Sequence, residues 1–274
     1  MNIAGIHTLP LTSLLILFSS VSLSAPLQLE VEGKETLLKT FHIHPQVEVT
    51  LSLSNYQVTV TDDKGKTLRL GTYEPGSRGK AYVLVDDFNF DGYKDIAVQQ
   101  SEGYMGVNVF YDVFLYQPRK WTFKLGFHDS NIEADPTNQM INSGQRSGPR
   151  WYSNVYKVIN GRPYIRQARS AMVGDGLDKV VFKNPKGKTL KTLILDTNIE
   201  DNPERPAVRT INAKRAYLHN KPNDNSKTRV YVIKGDRVNL HDYTHDVDSG
   251  EWFYVRYQGK KKLFKGWIKW NSIH

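Results

Sequence analysis

Val85-Asp-Asp-Phe-Asn-Phe-Asp-Gly-Tyr-Lys-Asp-Ile-Ala-Val98 places an acidic, glycine-bearing turn between two short apolar runs. Asp87, Asn89, Asp91 and Asp95 fall at positions 1, 3, 5 and 9 of a D-x-N-x-D-G-x-x-D pattern, with Gly92 at position 6 and the Tyr93 carbonyl at position 7. Alternate side chains at that spacing can turn inward, and glycine permits the sharp bend. This suits a hard cation such as Ca²⁺, which takes six to eight oxygens at ~2.3–2.6 Å. Position 12 is Val98, where a helix-flanked calcium loop would need a bidentate Glu. The loop is therefore expected between strands, Tyr82 to Val85 entering and Ile96 to Val98 leaving, with Ca²⁺ in a structural role. Without metal the same residues would form an Asx-rich β-turn.

Outward from that loop the chain reads as strand and turn. Val, Ile, Tyr, Phe and Thr recur in short runs bounded by Gly, Pro, Asn and Asp, and no long helical period appears. Strands are expected at Gln46 to Leu53 and Tyr56 to Thr61 around Ser54-Asn55, then at Thr67 to Gly71, Ala81 to Val85, Asp95 to Gln100, Val107 to Tyr116 and Trp121 to Phe127. Further strands follow at Trp151 to Val158 and Pro163 to Arg169 around the Asn160-Gly161 hairpin turn, then at Lys179 to Lys183 and Thr189 to Leu195. Asp129 to Arg150, with Asp135-Pro136 and two Ser-Gly pairs, reads as a long connection or functional loop. The expected class is all-β: a small β-propeller-like unit over 26–196, a linker over 197–206 and a second β-unit over 207–274.

Residues 1–25 read as a secretory signal peptide, from the apolar run Leu14-Leu-Ile-Leu-Phe18 and the small residues Ser22-Leu-Ser-Ala25. No later run reaches the ~18 apolar residues of a membrane-spanning helix. The absence of cysteine excludes disulfides and thiolate chemistry. An exported, periplasmic location fits. Residues 207–274 hold 14 Lys and Arg against 6 Asp and Glu, a balance of +8, whereas residues 1–206 hold 23 against 22. That local excess favours anionic partners, with nucleic acid the poorest fit for an exported chain.

No H-E-x-x-H, G-x-S-x-G or Walker loop is present. Glu102, Glu133 and Asp135 form no readable two-acid pattern of a glycosidase. His42 and His44 share a strand face without an evident third zinc ligand. A non-enzymatic chain is expected.

Two resemblances add to these readings. Arg215-Ala-Tyr-Leu-His-Asn-Lys-Pro222, the Lys234-Gly-Asp236 turn, Glu251-Trp-Phe-Tyr-Val-Arg-Tyr257 and Gly266-Trp-Ile-Lys-Trp270 resemble the bacterial SH3 domain over residues 207–274. That resemblance implies a small barrel that binds peptidoglycan or other wall components, with Tyr217, Trp252, Tyr254 and Trp267 as ligand-binding candidates. The segment Val85 to Val98, with the aromatic strand Asn108-Val-Phe-Tyr-Asp-Val-Phe-Leu-Tyr116 and the stretch around Trp151 to Arg169, is similar to exported calcium-loop, FG-GAP-like β-propeller proteins. These include immunity inhibitors of secreted peptidoglycan hydrolases. The resemblance implies one calcium site at Asp87, Asn89, Asp91, Tyr93 and Asp95, and a hydrolase or other secreted effector as partner. A wall-binding scaffold without inhibitory activity, or a wall-cleaving enzyme, is the alternative.

Overall fold

Asn55 and Tyr56, and Asn160 and Gly161, all adopt left-handed backbone, with φ of 48°, 63°, 52° and 68°. Two successive residues at positive φ give a hairpin turn whose twist matches its flanking strands, and both pairs join neighbouring antiparallel strands. The computed structural model describes residues 26–172, 176–198, 204–246, 248 and 250–273. The expected signal peptide lies outside them, as does the 199–203 part of the expected linker. The described residues hold β-strands and three short 3-10 turns and no α-helix, so the chain is all-β.

Strand β1 (Leu27–Glu32) precedes a meander of β2 (Leu37–His44), β3 (Val47–Ser54), β4 (Gln57–Asp62) and β5 (Thr67–Thr72). Next come β6 (Lys80–Asp86), β7 (Asp95–Gly103), β8 (Asn108–Gln117) and β9 (Thr122–Ser130), which with β1 form a sheet in the order β1-β6-β7-β8-β9. A third sheet runs in sequence through β10 (Glu133–Asp135), β11 (Met140–Ser147), β12 (Arg150–Ile159), β13 (Arg162–Met172), β14 (Leu177–Lys183) and β15 (Thr189–Asp196).

The β1-β6-β7-β8-β9 sheet is covered on both faces. Val83, Val85, Ile96 and Val98 join Val49, Leu51, Leu53, Val58 and Val60 of the meander in one core. The alternate residues Ala97, Tyr111 and Val113 join Ile141 and Tyr156 of the third sheet in another. Asp95 to Gln99 are therefore five consecutive buried residues, because a strand buried on both sides loses the usual alternation. Each such Val or Ile contributes ~1.5–3 kcal/mol of burial.

The stretch Asp129 to Arg150 is not a loop. It contains β10 and β11. The Asn108 side chain grips β11, its Nδ2 donating to the Arg146 carbonyl at 2.9 Å and its Oδ1 accepting from the Arg146 N–H at 2.7 Å. Asp129 fastens the same region: its carboxylate accepts from Ser143, Asn154 and Tyr156 at 2.7, 2.8 and 2.5 Å. A polar, weakly β-forming sequence becomes strand because its neighbours satisfy it.

The fourth sheet comprises β16 (Val208–Thr210), β17 (Arg215–His219), β18 (Lys227–Ile233), β19 (Arg237–Asp246), β20 (Gly250–Gln258) and β21 (Leu263–Lys269), ordered β16-β19-β20-β21-β17-β18. Its core of Leu218, Val232, Val238, Leu240, Phe253, Val255 and Ile268 also takes in Leu177 and Ile194 of the third sheet. Backbone bonds run from Ala207 N–H to the Ile194 carbonyl (2.7 Å) and from Leu240 N–H to the Ala207 carbonyl (2.8 Å). Asp196 pairs with Arg209 at 3.0 Å. Residues on either side of the expected linker thus share one apolar core.

Candidate functional site

The acidic turn joins β6 to β7, with Asp86 opposite Asp95 and Val85 opposite Ile96. Phe90 and Gly92 bend it at φ of 57° and 88°. Asp87 accepts from the N–H groups of Asp91 (3.1 Å) and Gly92 (2.8 Å). The Asn89 side-chain oxygen accepts from Asp91 N–H at 3.2 Å, and Asp91 accepts from Tyr93 N–H at 3.0 Å. Asp95, fully buried, sits beneath the loop and accepts from Phe88 N–H (3.0 Å) and, across the sheet, from Tyr116 N–H (2.8 Å). Tyr93 lies between His44 and Tyr116, with ring centroids 4.7 and 5.6 Å away.

Burial pushes the carboxyl groups of Asp87 and Asp95 upward, Asp95 far above its usual range. The backbone donors oppose this, while the neighbouring acids add to it. The donor set suits a hard cation in kind, since each carboxylate keeps lone pairs beyond those facing the amides. Its arrangement is that of a hydrogen-bonded Asx turn. Among the described residues no three His, Cys, Asp or Glu side chains are grouped as a metal-holding cluster.

The loop borders a cleft of about 450 Å³, walled by Asn89, Asp91, Leu115 to Pro118, Lys124 to Gly126 and Asn160 to Pro163. Asn89 Nδ2 reaches the Gly161 carbonyl at 3.5 Å, linking loop and hairpin tip. His42 and His44 straddle a register shift, His42 lying 3.7 Å from Glu48 while the His44 ring stacks on Tyr93.

In the fourth sheet, register places all four aromatic candidates on the face opposite the core. Tyr254 lies opposite Trp267, and Trp267 opposite His219. Tyr217, two residues before His219, lies opposite Tyr231. Trp252, two residues before Tyr254, is the exception in exposure at 0%. His219 meets its ring edge-on at 4.8 Å and Lys269 lies 5.4 Å from it. His219 is itself held by the turn after β17, its Nδ1 lying 2.9 Å from the Asn223 carbonyl. Tyr217, Tyr254 and Trp267 are half-buried, and Tyr231, which sequence reading did not single out, is 43% exposed.

The other feature missed from sequence is the tip of the β7–β8 turn. Tyr104 and Met105 have φ of 51° and 54°, and Gly106 follows at 94°. Met105 is 84% exposed and Tyr104 55%. The Tyr104 hydroxyl accepts from Gly148 N–H at 2.8 Å, which brings the tip beside the β11–β12 turn and exposed Trp151. Only the four residues Gly103-Tyr-Met-Gly106 hint at it in the sequence. Glu102, below the tip, accepts from the Ser77 hydroxyl at 2.6 Å, and Asp135 from the Asn138 side chain at 2.8 Å, so these acids have structural partners.

No protein-family model matches this chain, and no curated protein matches it. Among solved structures it is similar to one described as a Xanthomonas Type IV secretion system related protein. The TM-score is 0.42 and the identity 15%, covering 61% of this chain and 98% of that one. None of the helices in the described residues is long and apolar enough to cross a membrane.

Proposed function

We propose that this is an exported, non-enzymatic binding protein of the bacterial cell envelope. Its N-terminal β-unit docks and blocks a peptidoglycan hydrolase or similar secreted effector, and its basic, SH3-like C-terminal sheet tethers it to the wall. The tip Tyr104-Met105-Gly106 carries the reading. As at Asn55-Tyr56, two successive residues in left-handed backbone turn the chain tightly between neighbouring strands. Here the turn displays a methionine to solvent. With Tyr104, Val107 and Trp151 also exposed, the tip offers a convex apolar surface of the kind that meets a protein partner. The exposed Arg78 and Arg146 flank it with positive charge, suited to a groove lined with carboxylates.

In this reading Ca²⁺ is structural, held by Asp87, Asn89, Asp91, Asp95 and the Tyr93 carbonyl, and relieves the mutual repulsion of the acids. The test is lysis of isolated wall by a panel of peptidoglycan hydrolases with saturating full-length protein. Arrest of at least one is expected, and undiminished lysis across the panel refutes the inhibitor reading. The aromatic face of the fourth sheet favours a second reading, a wall-binding scaffold alone. It wins if the protein sediments with wall while slowing no hydrolase.

A further inference from the structure

The face of the fourth sheet that lies opposite its core carries two pairs of aromatic rings outside that core. Tyr254 and Trp267 pair edge-on at 5.4 Å, and Tyr217 and Tyr231 at 5.6 Å. Such pairing fixes ring orientation before any ligand arrives. The rings lie on β20, β21, β17 and β18, four successive strands of the sheet, as two pairs set diagonally: His219, not Tyr217, lies opposite Trp267, so the Tyr217–Tyr231 pair is offset by two residues from the Tyr254–Trp267 pair.

Cations accompany them. Lys227 lies 3.8 Å from the Tyr217 centroid and Arg215 lies 5.0 Å from that of Tyr231. Arg256 lies directly opposite Lys265, both exposed, two residues along from Tyr254 and Trp267 and on the same face. Like charges placed directly opposite on a sheet are destabilising, and an anionic ligand laid over them would remove that cost.

We propose that this face binds the sugar backbone of the wall's glycan strand, laid across β20, β21, β17 and β18, with Arg256 and Lys265 receiving carboxylates that hang from it. A pyranose ring has a flat apolar face that covers an aromatic ring and hydroxyls at its edge that meet charged groups. Two diagonally set pairs of partly exposed rings therefore recognise successive sugars without a deep pocket. A bound peptide would instead engage a strand edge and pockets for alternate side chains. The inference rests on the wall-tethering reading and names its ligand.

The test uses the full-length protein, purified peptidoglycan sacculi and chitohexaose, an uncharged N-acetylglucosamine oligomer with no stem peptide. Chitohexaose is expected to bind, with Trp267→Ala and Tyr231→Ala each weakening it by about tenfold, or ~1.4 kcal/mol. Tyr231 is exposed enough for the second variant to melt with the parent. Arg256→Gln should weaken sedimentation with sacculi by a larger factor than it weakens chitohexaose binding, because only the sacculi carry carboxylates. Co-sedimentation with sacculi but no binding of chitohexaose, and no effect of Tyr231→Ala, overturns the glycan assignment and leaves the wall tether standing. If sacculi do not carry the protein down, both fall.

Discussion

Strands β7 and β20 both contain consecutive buried residues, and for different reasons. In β7, Asp95 to Gln99 are buried because a sheet packs on each side. In β20, Trp252 and Phe253 point to opposite faces and both are fully buried. Phe253 lies in the core, whereas Trp252 meets His219 and Lys269 on the other side. One residue further, Tyr254 is half exposed. Burial in β7 belongs to the fold over its first five residues, Asp95 to Gln99, while burial in β20 gives way to a surface within two residues.

That difference predicts a descending series of effects on stability. Ile96→Ala, fully buried within the doubly covered stretch of β7, should lower unfolding free energy by ~2–5 kcal/mol, read by denaturant titration. A loss under 1 kcal/mol, ~10% of a typical domain's stability, would mean that β7 is not held on both sides. If the loop takes Ca²⁺, saturating metal at about 100 times Kd should raise stability by ~2.7 kcal/mol. Asp91→Ala should abolish that gain, and equal melting of the parent in EDTA and in Ca²⁺ rules the metal out.

A smaller effect is expected from pH. Burial first, and the charge of Arg256 second, hold the His241 imidazole below its usual range. A histidine with a lowered folded pKa contributes stability above its unfolded value of ~6.5, and that contribution is lost as pH falls from there toward the folded value. His241→Asn should flatten the acid limb of the stability curve in that window. An unchanged slope would remove His241 from the account. Smallest of all, Tyr231→Ala should leave stability within ~0.5 kcal/mol of the parent, since its work is at the surface.

Much of this architecture is legible in the residues themselves. Asn160-Gly161 marks its hairpin, and the β-branched and aromatic runs of β3, β4, β6 and β8 mark their strands. β11 is not legible, because Asn-Ser-Gly-Gln-Arg-Ser has little intrinsic strand preference and is held by Asn108 and by its ladder with β12. The tip at Tyr104 is hidden for a related reason. Tyrosine and methionine have no preference of their own for positive φ, so only the flanking Gly103 and Gly106 hint at the turn. Alternation does place Trp252 and Tyr254 on one face, but it is silent on His219 folding against Trp252.

The shared core of the third and fourth sheets also limits how the chain can be divided. Cutting at the expected linker would uncover Leu177 and Ile194, both buried, so function is best separated by point variants of the full chain. The proposed roles put the partner on the β7–β8 tip and the wall on the aromatic face. Their most direct test measures wall sedimentation and protection against hydrolase lysis, side by side, for Met105→Asp and Trp267→Ala. Met105→Asp is expected to lose protection and keep sedimentation, while Trp267→Ala is expected to lose sedimentation and still inhibit the hydrolase on a soluble substrate. Both variants losing the same activity, or neither losing any, would contradict them.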